Sequence, residues 1–372
     1  MLPHKLLIRT ARRLARRDDW GSDWGDWNDW GDWNDWEEED ENCVKVEPGP
    51  NGNVPLDACN SYYNYDPQFA PAVATAVIFG IFTGIHIVQA FTYRKRYAWV
   101  LIMGSLWETI AFGIHAAGAK DQQQIAYATV WNVLFLLAPL WINAFAYMTF
   151  ARMVLYWHPE GKVGGLRAAT IARWFVLADI ICFIVQGVGG IMANPTSSDE
   201  IVRVGLNIYL SGMGLQEFFI VVFCGLMYAF QRRCAQAEAT GHDLNRRTNW
   251  RPLLYSLYGV LVCITYKVRI IFRLVEFTGG VDPAENPIPF HEEYTYALDC
   301  FPMMVALLII AIWHPGRFLI GPESEFPSRK EKKAIKRQKK EEKRAEKEAR
   351  KEAKREAKRH KRRHHDDDDG LP

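Results

Sequence analysis

Ionisable side chains occur inside segments of this chain that are otherwise apolar. They include a set of five acids, three bases and one histidine, namely Glu108, Asp179, Glu217, Glu276, Asp299, Lys267, Arg269, Arg273 and His115. A charged side chain at the centre of a bilayer costs about 2.5–3.5 kcal/mol on insertion scales, so each needs a partner or a hydrated cavity. Within this set the acids outnumber the bases, which predicts that at least one acid is protonated, paired with His115 or paired with a cationic ligand.

Helical spacing places these residues on shared faces, because positions i, i+4 and i+7 lie on one side of a helix. The groups are Glu108 with His115, Asp179 with Gln186, Arg269 with Arg273 and Glu276, and Glu292 with Tyr296 and Asp299, while Gln216 lies beside Glu217 in the sequence. Such stripes either line a substrate pathway or join neighbouring helices as interhelical pairs. For the whole set we favour the pathway, with no catalytic residue among them.

Seven apolar segments carry these residues, and each is long enough to cross a bilayer. A hydrocarbon core ~30 Å thick needs about 20 helical residues, and backbone groups in lipid must pair within their own segment. The segments are Ala70–Tyr93, Tyr97–Ala119, Ala126–Leu155, Thr170–Met192, Val204–Phe230, Pro252–Phe277 and Tyr294–Leu319. The pattern predicts an all-α polytopic membrane protein with seven transmembrane helices. Mean hydropathy is only −0.15 because two polar tails dilute the average.

Lys and Arg residues alternate between the loops in one consistent pattern. The loops at 94–96, 152–167 and 232–251 are basic, whereas the others carry few basic residues or none. Cytoplasmic loops carry the Lys/Arg excess, which predicts an N-terminus outside and a C-terminus in the cytoplasm. This orientation puts Glu108, Asp179 and Gln216 near the midplane, and His115, Gln186, Arg273, Glu276, Glu292 and Asp299 in the outer half. A polar cavity open to the outside is the expected arrangement.

Two polar tails flank the membrane domain predicted over residues 70–320. Residues 1–69 are predicted to form a disordered, acidic, Trp-rich extracellular tail, in which Cys43 and Cys59 are candidates for a disulfide. Residues 321–372 are predicted to form a charged cytoplasmic tail, largely a single helix, with 20 Lys/Arg against 7 Glu over 329–363. This tail either contacts anionic lipid of the inner leaflet or stays a solvated helix. Nucleic acid is not an expected partner.

The pattern of histidines and glycines argues against a metal- or nucleotide-dependent enzyme. A lipid-cleaving metallohydrolase needs several His and Asp ligands that converge on zinc, but His86 and His115 are predicted on opposite sides of the membrane. No Gly-x-x-x-x-Gly-Lys-Ser/Thr loop is present. We therefore expect no enzyme activity, no metal and no cofactor, and any transport would need a gradient or would be downhill.

Motifs in a fixed order carry a resemblance over about residues 62 to 320. They include His86 with Gln89, Glu108, Leu137-Ala138-Pro139, Tyr147, Arg152, Asp179 with Gln186, Gly189-Gly190, Gln216, Arg269-x-x-x-Arg273-x-x-Glu276, Gly279-Gly280, Glu292, Tyr296 and Asp299. Together they resemble the fungal lipid-translocating exporter family, the Rta-like proteins named for resistance to 7-aminocholesterol. One departure is Ala111-Phe112 followed by His115, where the family pattern leads us to expect Gly-Tyr and then Arg.

The resemblance implies a multi-pass plasma-membrane protein linked to lipid or amphiphile export and to drug or toxic-lipid tolerance. Substrates linked to the family include sphingoid bases, sterol analogues and porphyrin. From the excess of acids we predict a cationic amphiphile, with Glu108 and Asp179 contacting its amine. The alternative is a seven-helix lipid-sensing receptor with a cytoplasmic signalling tail, which would bind a ligand without moving it.

Overall fold

A computed structural model of the chain describes residues 45–55, 58, 60–63, 65–192, 199–241, 244, 248–265, 291–327 and, apart from 332, 335, 336 and 339, 331–352. The predictions for the Trp-rich repeat, for Cys43 and Cys59, and for Lys267, Arg269, Arg273 and Glu276 concern residues outside this description. The chain divides into two units, Met1–Ser324 and Glu325–Pro372. In the second unit, the described residues from 331 to 352 are helical and their side chains are exposed.

The first unit is built almost entirely from helices. They are α1 (Phe69–Tyr93), α2 (Trp99–Gly118), α3 (Ile125–Trp157), α4 (Ala168–Met192), α5 (Asp199–Ala239) and α6 (Arg251–Thr265). The last helix, α7, consists of Glu292–Thr295, a π-helical turn at Tyr296–Cys300 and Phe301–Ile312. Short 3₁₀ turns lie at Arg96–Ala98, Pro315–Arg317 and Pro322–Ser324.

Six of these helices are long and apolar enough to cross a membrane. The qualifying stretches are Phe69–Tyr93, Arg96–Gly118, Ile125–Trp157, Ala168–Met192, Arg203–Ala239 and Glu292–Arg317. A shorter apolar helix covers Arg251–Ile264, and the residues that follow it lie outside the description. The protein is therefore an α-helical polytopic membrane protein, and a seventh crossing stays a prediction, as does the orientation of the termini.

A small β-hairpin in the loop between α3 and α4 was not predicted. Strands β1 (Lys162–Val163) and β2 (Leu166–Arg167) pair antiparallel. The turn between them consists of Gly164 and Gly165, whose φ angles are 57° and 78°. Two consecutive left-handed residues suit a tight hairpin, and glycine adopts that conformation without steric cost.

Two apolar clusters hold the helices together, and α3 contributes to both. The first includes Phe79 of α1, Leu101 and Phe112 of α2, Phe145 of α3 and Leu307 of α7. The second joins α3, α4 and α5 through the rings of Tyr147, Phe150, Phe175 and Phe223, whose centroids lie 4.6–5.5 Å apart where they touch. Many large apolar side chains outside these clusters are exposed, as expected for helices that face lipid.

Glycines bring α4 and α5 into close contact. A Cβ atom at Gly189 would lie 2.4 Å from the backbone nitrogen of Tyr209, and one at Gly212 would lie 2.8 Å from Cγ of Gln186. Small residues at a crossing let two backbones approach closely, which is a common basis of helix association in membranes. This close packing determines where the polar residues of α4 meet those of α5.

The π-helical turn in α7 lies immediately before a proline. Pro302 has no N–H group to donate to the carbonyl of Leu298, so the regular ladder cannot continue there. Tyr296 and Asp299 both lie within the π turn. Single π turns of this kind are frequent at functional sites.

Candidate functional site

A buried hydrogen-bonded cluster lies where α2 ends and α7 begins. Nε2 of His115 lies 2.8 Å from Oε1 of Glu292, and the hydroxyl of Tyr296 donates to the same oxygen at 2.8 Å. The backbone N–H of Gln68, just before α1, donates to Oε2 of Glu292 at 2.9 Å. Both His115 and Glu292 are buried. This cluster joins α2, α7 and the segment that precedes α1, and we call it the His115 cluster.

Aromatic rings surround the imidazole of His115. Trp131 of α3 stacks on it with ring centroids 4.1 Å apart, and Phe112, Tyr63 and Tyr65 lie 6.3–6.4 Å away. Among the described residues, neither Nδ1 of His115 nor the hydroxyl of Tyr63 has a hydrogen-bond partner. Burial, with a contribution from Asp121, raises the pKa of Tyr63 to about 12, so this hydroxyl stays neutral.

A polar cavity adjoins the His115 cluster. It has a volume of about 330 Å³, and its lining includes Asn51, Asp66, Gln68, Phe69, Lys120 and Gln122. The side-chain amide of Gln122 donates to Oδ1 of Asp66 at 2.7 Å, and the ammonium of Lys120 lies 4.6 Å from the centroid of the Phe69 ring. Gln68 belongs to both features, because it lines the cavity and its N–H group binds Glu292.

A second buried polar group lies between α3 and α4, and it contains Asp179. Asn143 and Tyr147 of α3 are its polar neighbours. The exposed fractions of Asp179, Asn143 and Tyr147 are 3%, 1% and 0%. Within the described part of the chain, both carboxylate oxygens of Asp179, Oδ1 of Asn143 and the hydroxyl of Tyr147 lack a hydrogen bond of ordinary geometry. No ion pair with Asp179 is formed by any described residue. We call these three residues the Asp179 cluster.

Further along α4, a polar contact connects to α5. The side-chain amide of Gln186 donates to Oε1 of Gln216 at 2.9 Å. The next residue, Glu217, has a buried Oε2 atom without a hydrogen-bond partner among the described residues. The spacing of Asp179 and Gln186 thus places both on the side of α4 that meets neighbouring helices.

The residues predicted from the sequence fall into separate places rather than one cluster. His115 and Tyr296 meet through Glu292, and Gln186 meets Gln216. Glu108 and Asp299 are buried, with exposed fractions of 0% and 2%. Arg269, Arg273 and Glu276 are outside the described residues.

Sequence reasoning did not select several residues that shape these clusters. Asn143 was missed, although it lies four residues before Tyr147 and forms with it a polar pair at helical spacing. No sequence pattern indicated Gln68, because it binds Glu292 through its backbone N–H group. Glu292 was placed in a polar stripe but was not chosen as the centre of a cluster.

The C-terminal ends of α3 and α7 carry the two Trp-His-Pro motifs. Both Trp-His-Pro motifs form the same turn: Nδ1 of His158 accepts the N–H of Glu160 at 3.2 Å, and Nδ1 of His314 accepts the N–H of Gly316 at 3.1 Å. Burial lowers the pKa of His158, which favours the neutral ring that this acceptor role needs. The His314 ring stacks on Tyr93 with centroids 4.8 Å apart.

In the parts of the chain that the structure describes, no group of three or more His, Cys, Asp or Glu side chains is arranged to hold a metal ion. The polar groups described above are instead single acids or small hydrogen-bonded groups buried between long apolar helices. This combination defines a polytopic α-helical membrane protein with ionisable groups in its interior.

The chain belongs to the RTA1-like family, since the family model described as "RTA1 like protein" matches residues 101–321. A relative from Emericella nidulans named "Probable lipid transporter atnI" is 44% identical over 298 residues, which cover 78% of this chain and 77% of the relative. The match confirms the family resemblance seen in the sequence.

More distant relatives also have names that refer to lipids. "Sphingoid long-chain base transporter RSB1" of Saccharomyces cerevisiae is 22% identical over 292 residues, covering 70% of this chain and 75% of the relative. "Lipid-translocating exporter-like protein RTA1" of Leptosphaeria maculans is 22% identical over 301 residues, covering 72% of this chain and 53% of the relative. No solved structure matches the chain.

Proposed function

We propose that the protein translocates or exports a lipid or amphiphile with a positively charged head, such as a sphingoid base, across the plasma membrane. The observation that carries this proposal is Asp179, a carboxylate buried between apolar helices without an ion-pair partner among the described residues. A substrate ammonium would supply the missing charge. The names of the relatives as lipid and sphingoid-base transporters support the same class of substrate.

In this proposal the acids bind the head while the chain of the lipid stays in the bilayer. Asp179 and Glu108 contact the amine in this proposal, and Gln186, two turns along α4 from Asp179, offers hydrogen bonds together with Gln216. The His115 cluster forms the outer part of the pathway, with Tyr296 in its wall and the adjoining cavity as its entrance. Asp299, Arg269, Arg273 and Glu276 complete the proposed lining. Seven helices, with the N-terminus outside, are part of the proposal.

The test is export of a labelled sphingoid base from cells that express the protein at matched surface levels. Asp179→Asn removes a charge-assisted contact worth about 1.5–3 kcal/mol, so we expect roughly 10- to 100-fold weaker handling of the base. A neutral labelled lipid should be affected much less, because the lost interaction is between charges. Glu200→Gln, at an exposed acid on α5, is the control and should behave like the wild type. Equal export by Asp179→Asn and the wild type would contradict the proposal.

A second candidate function is that of a lipid-sensing receptor. It is favoured by the charged helix within residues 331–352, whose described side chains are all exposed and available to a cytoplasmic partner or to anionic inner-leaflet lipid. A receptor would change partner binding when the base is added and would leave the lipid in its original leaflet. The same cells therefore distinguish the two functions when export and tail-partner binding are measured together.

We also propose a role in tolerance of toxic lipids or drugs. Loss of export would let a cationic amphiphile accumulate, so deletion in the native host should sensitise growth to sphingoid bases, and re-expression should restore it. Re-expression of Asp179→Asn should not. A fluorescent fusion should outline the plasma membrane, and an exclusively internal signal would contradict the proposed location.

A further inference from the structure

The Asp179 cluster contains one acid and, among the described residues, no positive charge of its own. Asn143 and Tyr147 are neutral polar groups that face the carboxylate from α3. The other titratable groups nearby are Cys182 on the same helix and, on α5, Cys224 beside Tyr147, with Glu217 beyond it. No Lys, Arg or His of the described residues is paired with Asp179.

A lone carboxylate in such a place must be neutralised. Transfer of an unpaired ionised group into an apolar interior is so costly that the group takes up a proton instead, or binds a cation. Removal of water on all sides strengthens this requirement, and Asp179 is only 3% exposed. Two things can cancel this one negative charge, namely a bound proton and a bound cationic head.

The neighbours of Asp179 suit both states. In the protonated state the acid can donate a hydrogen bond, and Oδ1 of Asn143 is an unpaired acceptor beside it. In the ionised state the carboxylate accepts hydrogen bonds, and the hydroxyl of Tyr147 is an unpaired donor. Both groups can form these bonds, because neither Oδ1 of Asn143 nor the hydroxyl of Tyr147 is hydrogen-bonded to another described residue.

We propose that Asp179 holds a proton when the site is empty and releases it when an ammonium head binds, so that the protein exchanges protons for cationic amphiphiles. This inference rests on the proposed function and adds its coupling ion. On binding, the carboxylic O–H bond breaks, the proton goes to solvent, and the carboxylate pairs with the ammonium. The charge of the site is the same before and after. One proton is therefore exchanged for each head, and a proton gradient can drive export.

The first experiment measures proton release on binding. Purified full-length protein in weakly buffered detergent, with a pH-sensitive dye, is titrated with N,N,N-trimethylsphingosine, whose charge is permanent and cannot supply a proton. We expect release of about one proton per bound molecule under conditions in which Asp179 is protonated in the free protein. Competition with one proton also weakens affinity by up to tenfold for each unit that the pH falls, which corresponds to about 1.4 kcal/mol.

Three variants locate the exchanged proton. Asp179→Asn should release none and should bind with an affinity that does not depend on pH. Asp179→Glu keeps the acid and should retain release, which separates the loss of an acid from the loss of folding. Glu200→Gln, at an exposed acid on α5, should release as much as the wild type. Proton release that persists in Asp179→Asn, or a loss of release in Glu200→Gln equal to that in Asp179→Asn, overturns the proposal.

The second experiment separates exchange from the proposed function itself. Proteoliposomes are loaded with the trimethylated probe under an imposed pH gradient, with the membrane potential clamped by potassium and valinomycin. Exchange predicts probe movement toward the acidic side and alkalinisation of that side. Probe movement that does not depend on the pH gradient, or that depends on a sodium gradient instead, refutes proton exchange but is still consistent with translocation. No movement under any gradient refutes translocation.

Discussion

The hydrogen bond between His115 and Glu292 can be tested by a double-mutant cycle. His115→Phe keeps an aromatic ring against Trp131 but removes Nε2, which lies 2.8 Å from Oε1 of Glu292. Glu292 still accepts from the hydroxyl of Tyr296 and the N–H of Gln68. The single change should therefore cost about 2 kcal/mol in free energy of unfolding, within the range of about 1.5–3 kcal/mol for a hydrogen bond to a charged group.

The coupling energy shows whether the bond between His115 and Glu292 is stronger than an ordinary hydrogen bond between membrane helices. Hydrogen bonds between membrane helices average only about 0.6 kcal/mol in such cycles, with a maximum near 1.7 kcal/mol. With His115→Phe, Glu292→Gln and the double variant, we expect a coupling energy of about 1.5 kcal/mol, because the pair is buried and charge-assisted. The assay is reversible unfolding in mixed micelles with increasing dodecyl sulfate, followed by circular dichroism.

Tyr63→Phe is the control for this cycle. Its ring lies 6.4 Å from that of His115, but its hydroxyl has no hydrogen-bond partner among the described residues. Removal of the Tyr63 hydroxyl should change the free energy of unfolding by less than about 0.5 kcal/mol, since no hydrogen bond is lost. Strictly additive losses for His115 and Glu292, or a cost for Tyr63→Phe as large as that for His115→Phe, would refute the reasoning.

Two further predictions concern packing and topology. Gly189→Ala should destabilise the protein by about 1–3 kcal/mol through overpacking, because its Cβ would lie 2.4 Å from a backbone nitrogen of α5. The control is Gly190→Ala, whose Cβ would meet no atom within 4 Å and which should be tolerated. Thermal unfolding of both variants checks this, and equal stability would contradict the close crossing. Glycosylation acceptors engineered into loop 279–294 should be modified, and those in loop 232–251 should not, because only the latter is basic. Modification of the 232–251 acceptor instead would invert the proposed topology.

The positions of the helices were largely predictable, because long apolar runs leave the backbone few alternatives in lipid. The prediction was least accurate where a helix leaves the lipid. Helix α5 was expected to end at Phe230 but continues to Ala239. Five of the nine added residues are polar or charged, with Arg232 and Arg233 among them. A hydropathy criterion cannot detect a helix that extends into water.

The types of site residue were easier to predict than their partners. An acid in an apolar segment, such as Asp179, is evident from the sequence alone. Its neighbour Asn143 depends on how α3 rotates against α4, and that rotation is decided by side-chain packing along both helices. The bond from the Gln68 N–H to Glu292 joins residues 224 positions apart through a backbone group. No side-chain pattern reports such a contact.

The central claim is that this protein moves a cationic amphiphile between the two sides of a membrane. The most direct measurement follows a fluorescent sphingoid base between leaflets of proteoliposomes that contain only the purified full-length protein, with an outer-leaflet quencher as the readout. We predict movement well above that in protein-free vesicles, and movement reduced roughly 10-fold or more by Asp179→Asn. Binding of the base with movement no faster than in protein-free vesicles would contradict the claim and would favour the receptor function.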